Sequence, residues 1–270
     1  MRRIATAFVI VASLAIGEAA RAEAPRRVVS LKPSITDTVY ALGLGGGLVG
    51  ITKYCSIPKG RRTPQIAADY TRPYMERIIA LRPDIVMGSE ENSSRRSIEA
   101  LRRAGIRVEL YPFGTMEEML GSIEAIAREL GAPDKGRRLA SQVREKLGRL
   151  KAQNAKRKGR RTVVVWGIRP MIIAGKGTYM DEAMLCAGLQ NAAADVGVRY
   201  PKIGLERLIG LDPEVIVDLS MDAAAGERPW DGVESITAVR EGRIISMEPA
   251  SFRAGPGLPD ALEKLARAVH

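Results

Sequence analysis

Two stretches of the chain repeat the same order of a short helical segment, a proline and an apolar run. The first is MERIIALRPDIVMG at residues 75–88, and the second is LERLIGLDPEVIVDL at residues 205–219. In both, apolar residues at helical spacing predict a short helix, which Pro83 or Pro213 prevents from continuing. The run DIVM or EVIVDL that follows is short, apolar and rich in β-branched residues, which predicts a buried strand.

The repetition extends to the elements on either side of these stretches. Before them lie RRVVSLKPSITDTVYALG in the first half and RTVVVWGIRP with TYMDEAMLCAGLQN in the second, each a strand, a loop and a helix. After them come SIEALRRAGIRVELYP at 97–112 and SITAVREGRIISMEP at 235–249, each a helix, a turn and a strand. The matching order predicts an internal duplication of roughly 110 residues per copy, with parallel sheets covered by helices on both faces.

A single long helix is predicted between the two copies. Apolar residues within 132–159 recur at steps of three or four and form one narrow stripe of a helix: Leu139, Val143, Leu147 and Leu150. A stripe this narrow suits a helix that packs across two lobes and limits how far they open. We therefore predict an N-terminal lobe over 23–132, a linking helix over 133–159 and a C-terminal lobe over 160–270.

Residues 1–22 have the three regions of an export signal. MRR is a cationic start, IATAFVIVASLAIG is an apolar run too short to span a bilayer, and Ala20 and Ala22 suit cleavage after Ala22. Since no cysteine lies at this boundary, a lipid anchor is not expected. The pattern predicts a periplasmic protein.

Composition and charge exclude several classes of function. The net charge is +11, but the densest basic run, at 151–161, has no aromatic residue to stack on a base. Because an exported protein does not meet the genome, nucleic acid is not an expected partner. His270 is the only histidine, so a Ser-His-Asp triad and a His-rich metal site lack their central group. Cys55 and Cys186 fall in different copies of the repeat, and we expect both to be unpaired.

Three motifs have the form of functional signatures but the wrong context. GGGLVG at 45–50 follows a helix and precedes a strand, the reverse of a dinucleotide fingerprint, so it predicts a helix end and a turn. AGKGT at 174–178 has Pro170 where a phosphate loop needs glycine. SEEN at 89–92 is an acidic cluster on a polar loop, where adjacent glutamates are ordinary. We predict no catalytic residue, no cofactor and no metal site.

Two duplicated α/β lobes joined by one helix resemble the helical-linker class of periplasmic substrate-binding proteins of ABC transporters, which take up cobalamin, haem and ferric siderophores. The resemblance covers essentially the whole mature chain. Its motifs are RVVSLKPSITDTVYALGL, MERIIALRPDIV, GAPDKGRRLASQV, VVWGIRP, AGKGTYMDEAMLCAGL, LERLIGLDPEVIV and RAGPGLPDALEKLARAV. It implies two Rossmann-like lobes with parallel-rich sheets and a ligand cleft between them. It further implies a monomeric receptor that delivers its ligand to an ABC permease and catalyses no reaction.

Within this class the sequence is most similar to cobalamin binders, and the similarity implies a set of ligand contacts. Three aromatic residues would pack on the corrin and its nucleotide loop: Tyr70, Trp166 and Tyr200. Aromatic rings suit a large amphipathic macrocycle because their faces are apolar and their edges find polar partners. Six further contacts lie in the loops around them: Pro33, Ser34, Tyr54, Cys55, Gly167 and Arg253.

Two interpretations account for the glutamates of the repeated helices, Glu76 and Glu206. A carboxylate in the first turn of a helix is favoured by the helix dipole, and this alone accounts for Glu76 and Glu206. In the receptors that the chain resembles, one glutamate per lobe at these positions meets arginines of the dimeric permease. The resemblance thus implies that Glu76 and Glu206 dock the permease.

Other ligands and functions stay open on sequence grounds. Haem is an alternative ligand because tyrosine serves as an axial ligand, and the candidates are Tyr54, Tyr70 and Tyr200. A basic cleft would suit an anionic siderophore or the propionates of haem, and its residues would be Arg72, Arg199, Lys202 and Arg253. An enzyme on the same scaffold and a surface adhesin or sensor are the two other functional classes.

Overall fold

Strands and helices alternate along the part of the chain that the computed structural model describes, residues 24–69, 72–90, 94–220 and 230–270. The predicted signal peptide and Tyr70 lie outside these residues. The first half contains β1 (Val28–Ser30), α1 (Pro33–Ala41), β2 (Leu48–Thr52), β3 (Gln65–Ala68), α2 (Met75–Ala80), β4 (Ile85–Ser89), α3 (Arg95–Arg103), β5 (Val108–Tyr111), α4 (Met116–Glu129) and α5 (Pro133–Asn154).

The second half repeats the alternation with additional short strands. Its elements are β6 (Arg160–Ile168), β7 (Met171–Ile173), α6 (Tyr179–Cys186), β8 (Leu189–Asn191), β9 (Lys202–Ile203), α7 (Leu205–Leu211), β10 (Val215–Asp218), α8 (Thr237–Arg240), β11 (Ile244–Ser246) and α9 (Leu258–Val269). Both repeated stretches therefore form the predicted helix and strand. The GGGLVG motif forms a 3-10 turn at Gly45–Gly47 that leads into β2, as its context predicts.

The two sheets share a central strand order that reflects the duplication. In the first sheet the order is β3-β2-β1-β4-β5, and all four pairings are parallel. In the second the order is β11-β10-β6-β7-β9, with β8 parallel to β6. The pairs β6–β10 and β10–β11 are parallel like β1–β4 and β4–β5, whereas β7 is antiparallel to β6 and β9. The predicted α/β class with parallel-rich sheets is confirmed.

Both lobes contribute to one continuous apolar core. It contains residues of both sheets, such as Ile85 and Val217, and buried residues of the helices between them, such as Ile123, Met184 and Leu262. Each lobe also has a smaller separate cluster on the outer side of its own sheet. Because both lobes pack on this shared core, a large-to-small substitution there would destabilise both lobes together.

The linking helix α5 carries the predicted apolar stripe but ends earlier than expected. Val143, Leu147 and Leu150 are buried, and the helix ends at Asn154 rather than at residue 159. The Asn154 side chain donates hydrogen bonds to the carbonyl oxygens of Leu150 (2.9 Å) and Cys186 (3.1 Å). This amide fixes the helix end against the C-terminal half, and the exact division into lobes stays a prediction.

Two glycines of α5 are expected to respond in opposite ways to alanine. A Cβ on Gly136 would lie 2.4 Å from the Cβ of Ala127 and 3.3 Å from the Cα of Glu124, so α4 and α5 would have to separate. We expect Gly136→Ala to destabilise the protein by about 1–3 kcal/mol. A Cβ on Gly148 meets no described atom within 4 Å, and Gly148→Ala should stabilise by about 0.4–1 kcal/mol. Urea unfolding measures both, and shifts of the same sign would contradict the packing.

Candidate functional site

Arg253 connects the two lobes at the position where several predicted ligand contacts meet. It follows the 3-10 turn Pro249–Phe252 of the C-terminal half. Its Nη1 lies 3.5 Å from Asp37 Oδ2 on α1 and 3.4 Å from Ser56 Oγ. Its Nη2 donates to the carbonyl oxygen of Tyr54. One guanidinium group therefore holds α1 and the segment after β2 against a loop of the other lobe.

The segment after β2 is also fixed to α1 through Cys55. The Cys55 Sγ lies 3.0 Å from Thr36 Oγ1 and 3.3 Å from Thr52 Oγ1. Thr36 Oγ1 in turn donates to Ser30 Oγ at the end of β1 (2.9 Å). The carboxyl ends of β1 and β2 meet here, which is the edge of a parallel sheet where ligands usually bind.

The start of α1 belongs to the same cluster. Pro33 occupies the first turn, where its missing N–H costs nothing, and both Pro33 and Ser34 are buried. The Ser34 carbonyl oxygen accepts from Thr38 Oγ1 (2.8 Å) and lies near Gly255, two residues after Arg253. The structure thus brings together five of the predicted contacts: Pro33, Ser34, Tyr54, Cys55 and Arg253.

Burial perturbs the pKa values of Asp37 and Cys55, two side chains of the N-terminal lobe in this cluster. It raises the pKa of Asp37 from 3.8 to about 6, although the charge and hydrogen bond of Arg253 act in the opposite direction. Burial also raises the pKa of Cys55, and the hydrogen bonds that join its Sγ to Thr36 and Thr52 act in the opposite direction. At neutral pH the thiol is therefore protonated and the carboxyl group is mostly ionised.

We expect Asp37→Asn to stabilise the protein at neutral pH. The pKa of Asp37 is higher in the folded state than in the unfolded state, so protonation of Asp37 stabilises the fold. This stabilisation is complete below pH 3.8 and is lost as the pH rises through about 6. The free energy of unfolding of the variant should nearly match that of the wild type near pH 4 and exceed it by roughly 3 kcal/mol at pH 7.5. Urea unfolding across this range measures the difference. The exposed Asp260→Asn is the control, and a pH-independent difference would contradict the perturbed pKa.

The predicted aromatic contacts of the C-terminal lobe lie on β6 and on the loop before β9. Trp166 packs half-buried against the shared core, and its Nε1 is buried without a hydrogen-bond partner among the described residues. Gly167 follows it on β6, and Tyr200 is 41% exposed. On the N-terminal lobe, the Lys53 Nζ lies 5.0 Å from the centre of the Tyr54 ring.

A second contact between the lobes involves Arg199. Its Nε and Nη2 donate to the Gly177 carbonyl oxygen (3.0 and 2.8 Å). A Cβ on Gly114, in the loop between β5 and α4, would lie 2.6 Å from Arg199 Nη2. The backbone N–H of Tyr179 donates to the Gly114 carbonyl oxygen (2.7 Å). Of the predicted basic residues, Arg199 and Arg253 thus lie at contacts between the lobes, and Arg199 is exposed there, as are Arg72 and Lys202 elsewhere.

The sequence did not point to Asp37 or to the buried hydrogen bond between Trp230 and Asp218, the last residue of β10. Trp230 Nε1 donates to Asp218 Oδ2 (2.7 Å), and the backbone N–H of Ser220 donates to Asp218 Oδ1 (2.8 Å). Asp218 ends β10, so it lies at the carboxyl end of a parallel strand, as the cluster around Arg253 does. A carboxylate at the end of a buried apolar strand is the sequence signal that could have identified Asp218.

The two predicted docking glutamates are exposed on the surface. Glu76 lies on α2 and Glu206 on α7, and neither has a hydrogen-bond or ion-pair partner within the described part of the chain.

The described residues contain no helix that is long and apolar enough to cross a membrane, and no group of three His, Cys, Asp or Glu residues that could hold a metal ion. Both cysteines are free thiols.

Two α/β lobes that share a core, with side chains of both lobes meeting beside one arginine, define a two-lobed solute-binding protein. Residues 28–250 match the family described as Periplasmic binding protein, and the chain belongs to this family. It is 29% identical over 227 residues to the vitamin B12-binding protein of Vibrio parahaemolyticus. The aligned residues make up 83% of this chain and 82% of that protein. The resemblance recognised in the sequence is confirmed.

Solved structures agree with this assignment. The periplasmic vitamin B12 binding protein BtuF of Vibrio cholerae has a TM-score of 0.79 and 25% identity, over 91% of this chain and 96% of that one. A periplasmic haem binding protein from Pseudomonas aeruginosa has a TM-score of 0.81 and 27% identity, over 91% and 92%. The family consists of periplasmic binding proteins rather than enzymes.

Proposed function

We propose that this protein is a periplasmic receptor that binds a corrinoid, vitamin B12 or a close analogue, between its lobes and delivers it to an ABC permease. The observation that carries the proposal is the meeting of α1, the segment after β2 and the Arg253 loop, which joins predicted contacts of both lobes. Relatives named as vitamin B12-binding proteins support the same ligand. No chemical step is involved; the work is capture, closure and docking.

The predicted contacts divide into apolar and polar roles. Trp166 and the tyrosines at 54, 70 and 200 offer ring faces to the corrin, and the buried Trp166 N–H is a donor for an amide side chain of the ligand. Arg253 holds the Tyr54–Ser56 segment in place and offers its remaining N–H groups to the ligand. Pro33, Ser34, Cys55 and Gly167 would line the floor of the binding site between these groups, where opening of the lobes exposes the buried start of α1.

Haem is the second candidate, favoured by the similarity to the haem binding protein from Pseudomonas aeruginosa. Tyrosine oxygen is an established axial ligand of haem iron, and Tyr54 and Tyr200 are placed on opposite lobes. The basic side chains Arg72, Arg199, Lys202 and Arg253 would then face propionates or another anionic chelate.

One pair of titrations separates these ligands. Cyanocobalamin at micromolar concentration should quench the tryptophan fluorescence with one-to-one stoichiometry, and the Trp166→Phe variant should lose most of the quenching. Haemin should give no tyrosinate-type absorption band. If cyanocobalamin causes no quenching while haemin gives that band, the corrinoid proposal is wrong and haem replaces it.

Delivery would use the exposed carboxylates of both lobes. Glu76 and Glu206 are proposed to pair with arginines of the permease dimer, one on each side. The receptor would reach the periplasm through a signal peptide cleaved after Ala22, and would act as a monomer.

A further inference from the structure

The two proposed docking helices carry a second matched feature, an exposed isoleucine one turn after each glutamate. Ile79 on α2 is 48% exposed and Ile209 on α7 is 36% exposed. Each follows its glutamate by three residues, so the carboxylate and the isoleucine share one face of the helix. Among the described residues six large apolar side chains are exposed, and half of them lie on these two short helices. The exposed apolar surface is thus concentrated beside the glutamates.

Neither isoleucine is needed to pack its own helix. The preceding residue of each helix, Ile78 or Leu208, is fully buried and supplies the contact with the lobe. An exposed isoleucine at the equivalent position of both copies therefore has no explanation in the stability of the fold. A single exposed apolar residue is ordinary on a protein surface, but a pair repeated by the duplication indicates a contact made twice.

Both helices are held to their sheets by the same arginine contact. Arg27 Nη2 donates to the carbonyl oxygen of Leu81 (2.5 Å), the residue after α2. Arg161 Nη2 donates to the carbonyl oxygen of Leu211 (2.6 Å), the last residue of α7. Charge-assisted hydrogen bonds to the free carbonyl groups at the end of a helix fix its orientation.

The arginines themselves are fixed by an acid that follows the repeated proline. Asp84 Oδ2 accepts the backbone N–H of Arg27 (2.8 Å), and Glu214 Oε2 accepts the backbone N–H of Arg161 (2.9 Å). The duplication has therefore kept the helix, its exposed face and its support together in both lobes. Each lobe presents a rigid patch, made of Glu76 with Ile79 or of Glu206 with Ile209.

We propose that Ile79 and Ile209 are the apolar anchors of the docking surface, and that the two patches bind equivalent pockets of a two-fold symmetric membrane protein, the permease. This inference rests on the proposed docking of Glu76 and Glu206. Two equal patches on one chain match a partner that offers the same pocket twice. Exposed charges give register and association rate and are screened by salt, whereas burial of apolar surface supplies affinity that salt does not screen.

The test compares salt dependence in matched variants. The probe is the permease–ATPase complex from the same organism, reconstituted in lipid nanodiscs. Its binding to the receptor is measured by biolayer interferometry at about 50 and 500 mM salt. Ile79→Ser/Ile209→Ser should bind at least about ten-fold more weakly at both salt concentrations. Glu76→Ala/Glu206→Ala should be weakened mainly at low salt. The control is Leu185→Ser, which changes a residue that is 53% exposed on α6 rather than on α2 or α7, and it should bind like the wild type.

Each failure has its own signature. If the isoleucine variant binds like Leu185→Ser while the glutamate variant is weakened, the apolar anchors are wrong and the docking proposal stands. If the wild type does not bind the complex at all, the docking proposal and this inference both fall. If light scattering shows a dimer of the receptor that Ile79→Ser/Ile209→Ser dissolves, the patches bind a second copy of the chain, and the inference is overturned.

Discussion

Glu76→Ala/Glu206→Ala is expected to abolish most of the vitamin B12 uptake while leaving the affinity for vitamin B12 unchanged. Both carboxylates are exposed and lack partners among the described residues, so their removal breaks no contact of the fold. They lie on short helices outside the cluster around Arg253. In the proposed complex each one faces an arginine at the rim of the contact, and removal of such rim charges lowers the association rate and loosens the register of docking, most strongly at low salt.

Transport into proteoliposomes that contain the permease–ATPase complex measures the first effect, and calorimetric titration with vitamin B12 measures the second. The single variants should each lose part of the transport, because the two sites act together on one partner. Glu234→Ala, a change of an exposed glutamate outside α2 and α7, is the control and should transport normally. Loss of vitamin B12 binding in the double variant, or normal transport, would contradict the docking assignment.

Arg253→Met is expected to weaken vitamin B12 binding by at least about ten-fold and to destabilise the fold by about 2 kcal/mol at pH 7.5. The guanidinium group holds the Tyr54 carbonyl oxygen, Ser56 and Asp37 in one arrangement. Without it the Tyr54–Ser56 segment loses its contact with the C-terminal lobe, and Asp37 remains as a buried carboxylate without its cation.

The pH dependence gives this prediction a specific signature. Since Arg253 lowers a pKa that burial raises, its removal raises the pKa of Asp37 further, and the variant should be most destabilised above pH 6 and least near pH 4. Arg253→Met combined with Asp37→Asn should recover much of the stability without recovering vitamin B12 binding. Arg267→Met, on the exposed face of α9, is the control. Equal stability of Arg253→Met and wild type at pH 7.5 would show that the bridge carries no energy.

The elements that local sequence determines were predictable. The repeated stretches gave the helix and strand of each copy because a proline and an apolar run mark their boundaries within a few residues. The end of the linking helix was not predictable in this way. Its position depends on the Asn154 amide and the Cys186 carbonyl oxygen, which are 32 residues apart in the chain.

The contacts of the candidate site were also not predictable from local sequence, because they join residues far apart in the chain. The resemblance to known receptors named Tyr54, Cys55 and Arg253 individually, but not the contact between Arg253 and Asp37, which are separated by 216 residues. Asp37 lies in the polar-rich helix PSITDTVYA, where Thr36 and Thr38 are buried as well. Its perturbed pKa arises from packing of two loops and a helix from different lobes, and no local pattern encodes such packing.

A crystal structure of the protein grown with cyanocobalamin would show whether both lobes bind the corrinoid. We expect one corrin ring per molecule between the lobes, within van der Waals distance of Trp166 on one lobe and Tyr54 on the other, and with Arg253 beside it. A corrinoid bound to one lobe alone, or on a surface away from these residues, would show that this mode of binding is wrong.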